Sequence, residues 1–389
     1  MRQRIAASTF ELRDARPMIK VVGVMLAAAL LLGTAVSGHC GETATANDTA
    51  RFLAGLPPSL GSPLAALTKS ALWQRHARHF DALFARKDDS SLRNIRGFSK
   101  REITHKDEAL LYMFSGPDFL YATSFFPDAP TYVLSGLEPT GDIPNLQGLK
   151  PEAIDHTLQN LERSLRSLLS FSFFQTNDMR SELNKGPVFG TLPLLYVFMA
   201  RSGKTILEAT PIALDHNGNV GTPETGDAEG RISRASGSSV QGVKILFSDK
   251  RHAQQTLYYF STDVSNEAPS RRGFLQFCYR LGAAVSFIKS ASYLLHRDRF
   301  SEVRSFLLER SSLILQDDSG IPVAYFKSTE WRLQPFGNYI GPIPLFKQRY
   351  QASLARLFQK THHAALDFGV GYRWHNSQSN LLIAVKQTN

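Results

Sequence analysis

Residues 110–139 read LLYMFSGPDFLYATSFFPDAPTYVLSGLEP, and the division of this stretch decides the fold. It parses as a strand, a tight turn at Phe114–Asp118, a helix and a second strand, with Glu138 just past the second strand. Two strands joined through a helix form a parallel pair. An open parallel sheet leaves a crevice at the carboxyl ends of its strands, beside a helix N-terminus with free N–H groups. Ser115, Gly116, Asp118 and Glu138 are therefore the expected ligand-binding residues, with simple helix capping as the alternative role for Asp118.

Downstream, Pro151 opens a long helix whose Ile154, Leu158, Leu161, Leu165 and Leu168 form one apolar stripe. Leu192–Leu214 reads as helix, Gly203 turn and strand, and Gly242–Thr262 as an antiparallel hairpin. The last third is expected to hold a helix over Gly273–Leu295, another over Phe300–Ile314, a hairpin turn at Asp317-Asp318-Ser319-Gly320, and strands at Phe368–Trp374 and Leu381–Val385. Residues 218–242 read as a mobile polar loop. Upstream, a helix is expected from Ser62-Pro63 to Phe84, followed by a polar, basic connection over Arg93–Lys106.

The segment MIKVVGVMLAAALLLGTAVSGHCGETATAN, from Met18, has a basic start, an apolar run over Val21–Leu32 and then small residues, the pattern of a secretory signal peptide. Spanning a bilayer takes roughly 20 apolar residues, so this run is too short for a stable anchor. Residues 1–46 are assigned as signal peptide, with Met18 as the expected start and Cys40 disfavoured for lipid attachment. Residues 47–104 then form a helical extension and linker, and 105–389 an α/β core. The expected location is exported, periplasmic.

The net charge of +10 favours anionic surfaces mildly, and the absence of a clustered basic stripe argues against a nucleic-acid partner. Cys278, inside FLQFCYRLG, is expected to be a buried inert thiol.

The opening stretch resembles the first βαβ unit of the S-adenosylmethionine-dependent methyltransferases. That resemblance implies a Rossmann-like, mostly parallel sheet with an antiparallel hairpin, a turn at Gly116 that the cofactor approaches, and Glu138 on its ribose hydroxyls. The turn departs from the family pattern in its single glycine and in Pro117 and Asp118. SGPDFLYA, GLEP and QDDSGIP also resemble an uncharacterised group of bacterial exported proteins, which implies no activity. Export separates the chain from a cofactor made in the cytoplasm, so the expected function is an envelope protein binding a small polar ligand or a protein partner, with a degenerate nucleotide-binding-type fold. The cofactor is left unknown. The alternative is an enzyme, a transferase or hydrolase, that uses the same crevice with Lys289, Tyr293 and His296 as catalytic candidates on one helical face.

Other motifs weigh less. Ser202-Gly203-Lys204-Thr205 lacks the leading glycine and preceding strand of a phosphate loop. Ser286-Phe287-Ile288-Lys289 matches S-x-x-K without a following K-T-G. His76 and His79 lie one helical turn apart without a third ligand nearby, so no metal site is expected.

Overall fold

Strand β1 (Ala109–Tyr112) is buried along its whole length and distributes its side chains to two separate cores. Leu110 and Tyr112 enter one hydrophobic cluster, while Ala109, Leu111 and Met113 enter the other. A strand buried on both faces is the signature of a parallel sheet covered by helices on each side. The computed structural model describes residues 43–171, 188–223 and 239–387, apart from 106, 362, 376 and 377. Residues 1–42 of the expected signal peptide, and most of the polar loop expected at 218–242, lie outside the described residues.

The remaining strands are β2 (Thr131–Gly136), β3 (Thr205–Leu214), β4 (Val220–Gly221), β5 (Val240–Ser248), β6 (Gln255–Ser261), β7 (Ala284–Ile288), β8 (Ser311–Gln316), β9 (Trp331–Gly337) and β10 (Asn380–Lys386). They form one mixed sheet in the order β4-β3-β5-β6-β2-β1-β7-β8-β10-β9. The central five, β6-β2-β1-β7-β8, are parallel. Antiparallel strands flank them: β5, β3 and β4 on one side, β10 and β9 on the other. Pro335 sits in β9, which pairs only with β10, where a missing N–H is tolerated.

One face carries α1 (Ala46–Leu53), α2 (Ala71–Lys87), α3 (Arg93–Glu102), α4 (Phe119–Phe125), α5 (Pro151–Phe171) and α6 (Leu192–Arg201). The other carries α7 (Pro269–Arg280) and α8 (Ser301–Arg310), while α9 (Ala352–Lys360) packs its Leu354 and Phe358 against Tyr339. The chain is thus α/β with a mixed sheet. Helices α1–α3 belong to the same core as the sheet, and one compact unit spans Gly41–Asn389.

Several expectations are corrected. The first long helix starts at Ser70, whose side chain accepts from Trp73 N–H, and Ser62-Pro63 leads only into a short 3-10 turn. The segment expected as a polar connection is α3, because Ile95 and Phe98 are buried and Ser99 Oγ donates to the Phe125 carbonyl. The helix expected over Gly273–Leu295 ends at Arg280, and Gly282 (φ +82°) turns the chain into β7. The helix expected through Ile314 stops at Arg310, where β8 begins. Gly242–Thr262 does form an antiparallel hairpin, but its second arm, β6, is also a parallel member of the central sheet. Phe368–Trp374 forms only an isolated bridge between Val370 and Arg373.

Candidate functional site

The chain leaves β1 toward α4 on one face of the sheet and leaves the adjacent β7 toward α8 on the other. Divergence at neighbouring strand ends opens a crevice between them. A cavity of about 150 Å³ lies there, lined by Gly116, Glu138, Asp263, Lys289, Ser290 and Tyr372 among others.

The turn after β1 places two residues in the left-handed region, Phe114 (φ +62°) and Gly116 (φ +55°). Glycine adopts that conformation freely, whereas a phenylalanine does so at a cost that surrounding contacts must offset. Phe114 packs edge-on against Phe300 at 5.9 Å, and the amides of Ser115 and Gly116 donate to the Ser135 carbonyl at 2.9 and 3.2 Å. Ser115 Oγ donates to the Gly116 carbonyl at 2.8 Å, which ties its hydroxyl to the turn itself.

Asp118 takes the helix-capping role expected as its alternative, accepting from Tyr121 N–H at 3.2 Å at the start of α4, and it stands at the crevice. Its Oδ2 also accepts from Tyr112 Oη at 2.8 Å and sits 2.9 Å from Lys289 Nζ. The Tyr121 ring lies 4.2 Å from Lys289 Nζ and 5.3 Å from Lys87 Nζ. Burial drags the Lys87 amine down to about 8, against the opposing pull of Asp118. Burial, then the Asp118 charge, pushes the Tyr112 phenol far above its ordinary range, so it stays a proton donor.

Glu138, at the tip of β2, is 3 % exposed, and its Oε2 has no hydrogen-bond partner among the described residues. It folds back over Gly136: a Cβ on that glycine would stand 2.2 Å from Oε2 and 3.0 Å from Gly116 Cα. Ser290, also in the cavity lining, has its Oγ buried without a hydrogen-bond partner among the described residues. Buried polar atoms are nearly always satisfied, so two such orphans lining one cavity mark a place for a polar ligand or ordered water.

The loop after β7 carries three left-handed non-glycine residues, Ser290 (φ +53°), Ser292 (φ +51°) and Tyr293 (φ +52°). It is tied down from β8 and from Tyr372. Asp317 Oδ2 accepts from Ser290 N–H at 2.9 Å, Ser319 Oγ from Ala291 N–H at 2.8 Å, and Tyr372 Oη from Ser292 N–H at 3.1 Å. Asp318 Oδ2 takes the Tyr293 hydroxyl at 2.5 Å. Burial, then the neighbouring Asp318 charge, pushes the Asp317 carboxyl above the usual carboxylate range.

The catalytic candidates are therefore not on one helical face. Lys289 directly follows β7 and lines the crevice; Tyr293 is not in the crevice lining and donates to Asp318. His296, in a 3-10 turn, contacts Tyr293 edge-on and does not line the crevice; burial, then Arg349, pulls it down to about 4. Asp317 and Asp318, expected in a hairpin turn, directly follow the central strand β8 and are buried.

The remaining motifs have structural partners. Ser286 Oγ shares a hydrogen bond with Ser311 Oγ at 2.7 Å inside the sheet. Lys204 is ion-paired with Asp249 and precedes its strand, the reverse of a phosphate loop. His76 is held between Glu162 and the Leu53 carbonyl, and among the described residues no cluster of three metal-ligating side chains occurs. Cys278 is buried. Among the described residues no helix is long and apolar enough to cross a membrane.

Sequence reasoning gave Lys87, Asp263 and Tyr372 no part in the site. Tyr372 follows Gly371 (φ +68°) in a segment whose alternating apolar residues mimic a strand, so no local signal placed it at the crevice. In comparisons with known proteins, the chain matches no family model, no curated protein sequence and no solved structure.

Proposed function

We propose that the chain is a binding protein whose crevice takes a small polar ligand bearing a hydroxyl donor. The observation that carries this reading is that buried Glu138 Oε2 and Ser290 Oγ, both without a hydrogen-bond partner among the described residues, belong to residues lining one cavity. A ligand hydroxyl donating to Glu138 satisfies the first and leaves room for a second polar group at Ser290. The central strand order β6-β2-β1-β7-β8, with its divergence between β1 and β7, supports assigning the sheet to the Rossmann-like, methyltransferase-like class.

On this reading the chemistry of an ancestral enzyme is reduced. Asp118 is spent on capping α4 and neutralising Lys289, and Ser115 on its own turn. Only Lys289 among the catalytic candidates reaches the crevice, and its ammonium is paired. The signal-peptide pattern from Met18 supports placing this binding protein in the cell envelope.

The test is calorimetric titration of the protein with S-adenosylmethionine, S-adenosylhomocysteine and a panel of nucleosides and small polyols, repeated on Glu138→Ala. Saturable binding that weakens at least tenfold in the variant supports the reading. Absence of heat at millimolar concentrations across the panel, or equal affinity in the variant, overturns the assignment of Glu138 as the ligand's acceptor.

A further inference from the structure

Beside the crevice, the segment after β9 projects apolar side chains into solvent. Leu345 is 72 % exposed, Tyr350 58 % and Ile340 49 %. All three fall within the eleven residues 340–350. The Tyr350 ring stacks on Tyr339 at 5.8 Å and lies against Gly341, next to Ile340. Leu345 belongs to the 3-10 turn Pro344–Arg349, which is anchored from beneath by Phe346 against Tyr293 (5.0 Å) and Tyr372 (5.4 Å). Arg373 clamps the base of the loop by donating to the carbonyls of Gly341 and Pro342 at 3.0 and 2.9 Å. The protrusion is thus held in shape while its tip faces water.

The charge carried by this segment has one sign. From Asn338 to Thr361 the sequence contains Lys347, Arg349, Arg356 and Lys360 and no acid. Lys347, Arg356 and Lys360 are exposed, and the inner face of α9 packs through Leu354 and Phe358 against Tyr339, beside Ile340.

A protruding turn with leucine, isoleucine and tyrosine at its tip and unopposed lysine and arginine around it matches a surface bearing negative charge over a penetrable apolar layer. Apolar side chains enter the boundary between headgroups and acyl chains, and basic side chains near the surface add electrostatic attraction. We propose that residues 338–360 form a docking surface for a membrane leaflet rich in anionic lipid. The inference goes beyond ligand binding and does not depend on it. Because Phe346 and Tyr372 join the two, docking sets the crevice mouth beside the bilayer.

The test is flotation of the full chain with vesicles of phosphatidylcholine alone or with a third phosphatidylglycerol, combined with hydrogen exchange of the bound protein. Wild type is expected to float with the anionic vesicles, to be released at 0.5 M salt, and to gain protection over 338–350. Ile340→Ser/Leu345→Ser and Lys347→Gln/Arg356→Gln are each expected to weaken partitioning about thirtyfold. The apolar run Val21–Leu32 is common to all variants, so flotation that persists undiminished in both, or without protection at 338–350, overturns the proposal. So does failure of wild type to float, the outcome expected if the patch serves an acidic protein.

Discussion

Lys289 Nζ and Asp118 Oδ2 lie 2.9 Å apart with side-chain exposures of 2 % and 1 %, an ion pair sealed at the floor of the crevice. Removing one partner of such a pair strands a buried charge, which typically costs 3–5 kcal/mol, whereas replacing both by apolar groups is far milder. Lys289→Met is therefore expected to lower unfolding free energy by about 3 kcal/mol. Adding Asp118→Leu is expected to return much of that loss, less about 1 kcal/mol for the α4 cap. Urea unfolding of the three variants measures the coupling; additive losses would show that the pair carries no such coupling.

Glu138→Gln is expected to leave stability unchanged or raise it by about 1 kcal/mol, because a neutral amide replaces a buried carboxylate with an unsatisfied oxygen. The same substitution should weaken ligand binding. A large loss of stability would instead mean that Glu138 is a structural residue.

Gly136→Ala forces a methyl into Glu138 Oε2 and onto the backbone of Gly116. The expected result is a loss of about 1–3 kcal/mol, read by thermal unfolding, and displacement of Glu138 from the crevice. In the Glu138→Ala background the first clash is gone, so the two substitutions should be less than additive.

Lys87 predicts a pH dependence. Its amine releases its proton near 8 when folded but near 10.5 when unfolded. Between those values the unfolded chain holds more protons, so this residue's contribution makes stability rise with pH across the window. Lys87→Met should stabilise the protein by about 1–3 kcal/mol at pH 7 and remove that rise. Guanidinium unfolding of both proteins at pH 7 and pH 10 reads the difference.

His296 works at the acid end. Folded, it resists protonation down to about 4 against 6.5 for the free side chain. The unfolded state again takes up more protons in the window, so stability is intact above 6.5 and falls as pH drops toward 4. His296→Gln should shallow this fall by up to about 2 kcal/mol, discounted for the ring's partial exposure; identical profiles would refute the burial argument.

The first βαβ unit was legible because each of its signals is local: apolar runs that fit short strands, Asp118 as a cap, and Glu138 after the second strand. β7 was not. AVSFI follows directly on α7, and apolar residues continue at a spacing that suits a helix, so only Gly282 marks the change. Losing β7 also misplaced Lys289, Tyr293 and His296, whose positions follow from the strand's end. Asp317 and Asp318 have turn chemistry in sequence, and only the sheet's register buries them beneath the 290–293 loop.

The position of β10 bears on how the sheet is completed during folding. β8 and β9 are consecutive strands yet do not touch: β10, reached only after the excursion through residues 338–379, is inserted antiparallel between them. Until it arrives, β8 and β9 each present an open edge, so a chain emerging from the ribosome holds two unpaired templates for aggregation over the last stretch of its synthesis, from β9 to β10. A truncation before Asn380 would make that condition permanent. Chaperone dependence should therefore hinge on a strand of only seven residues.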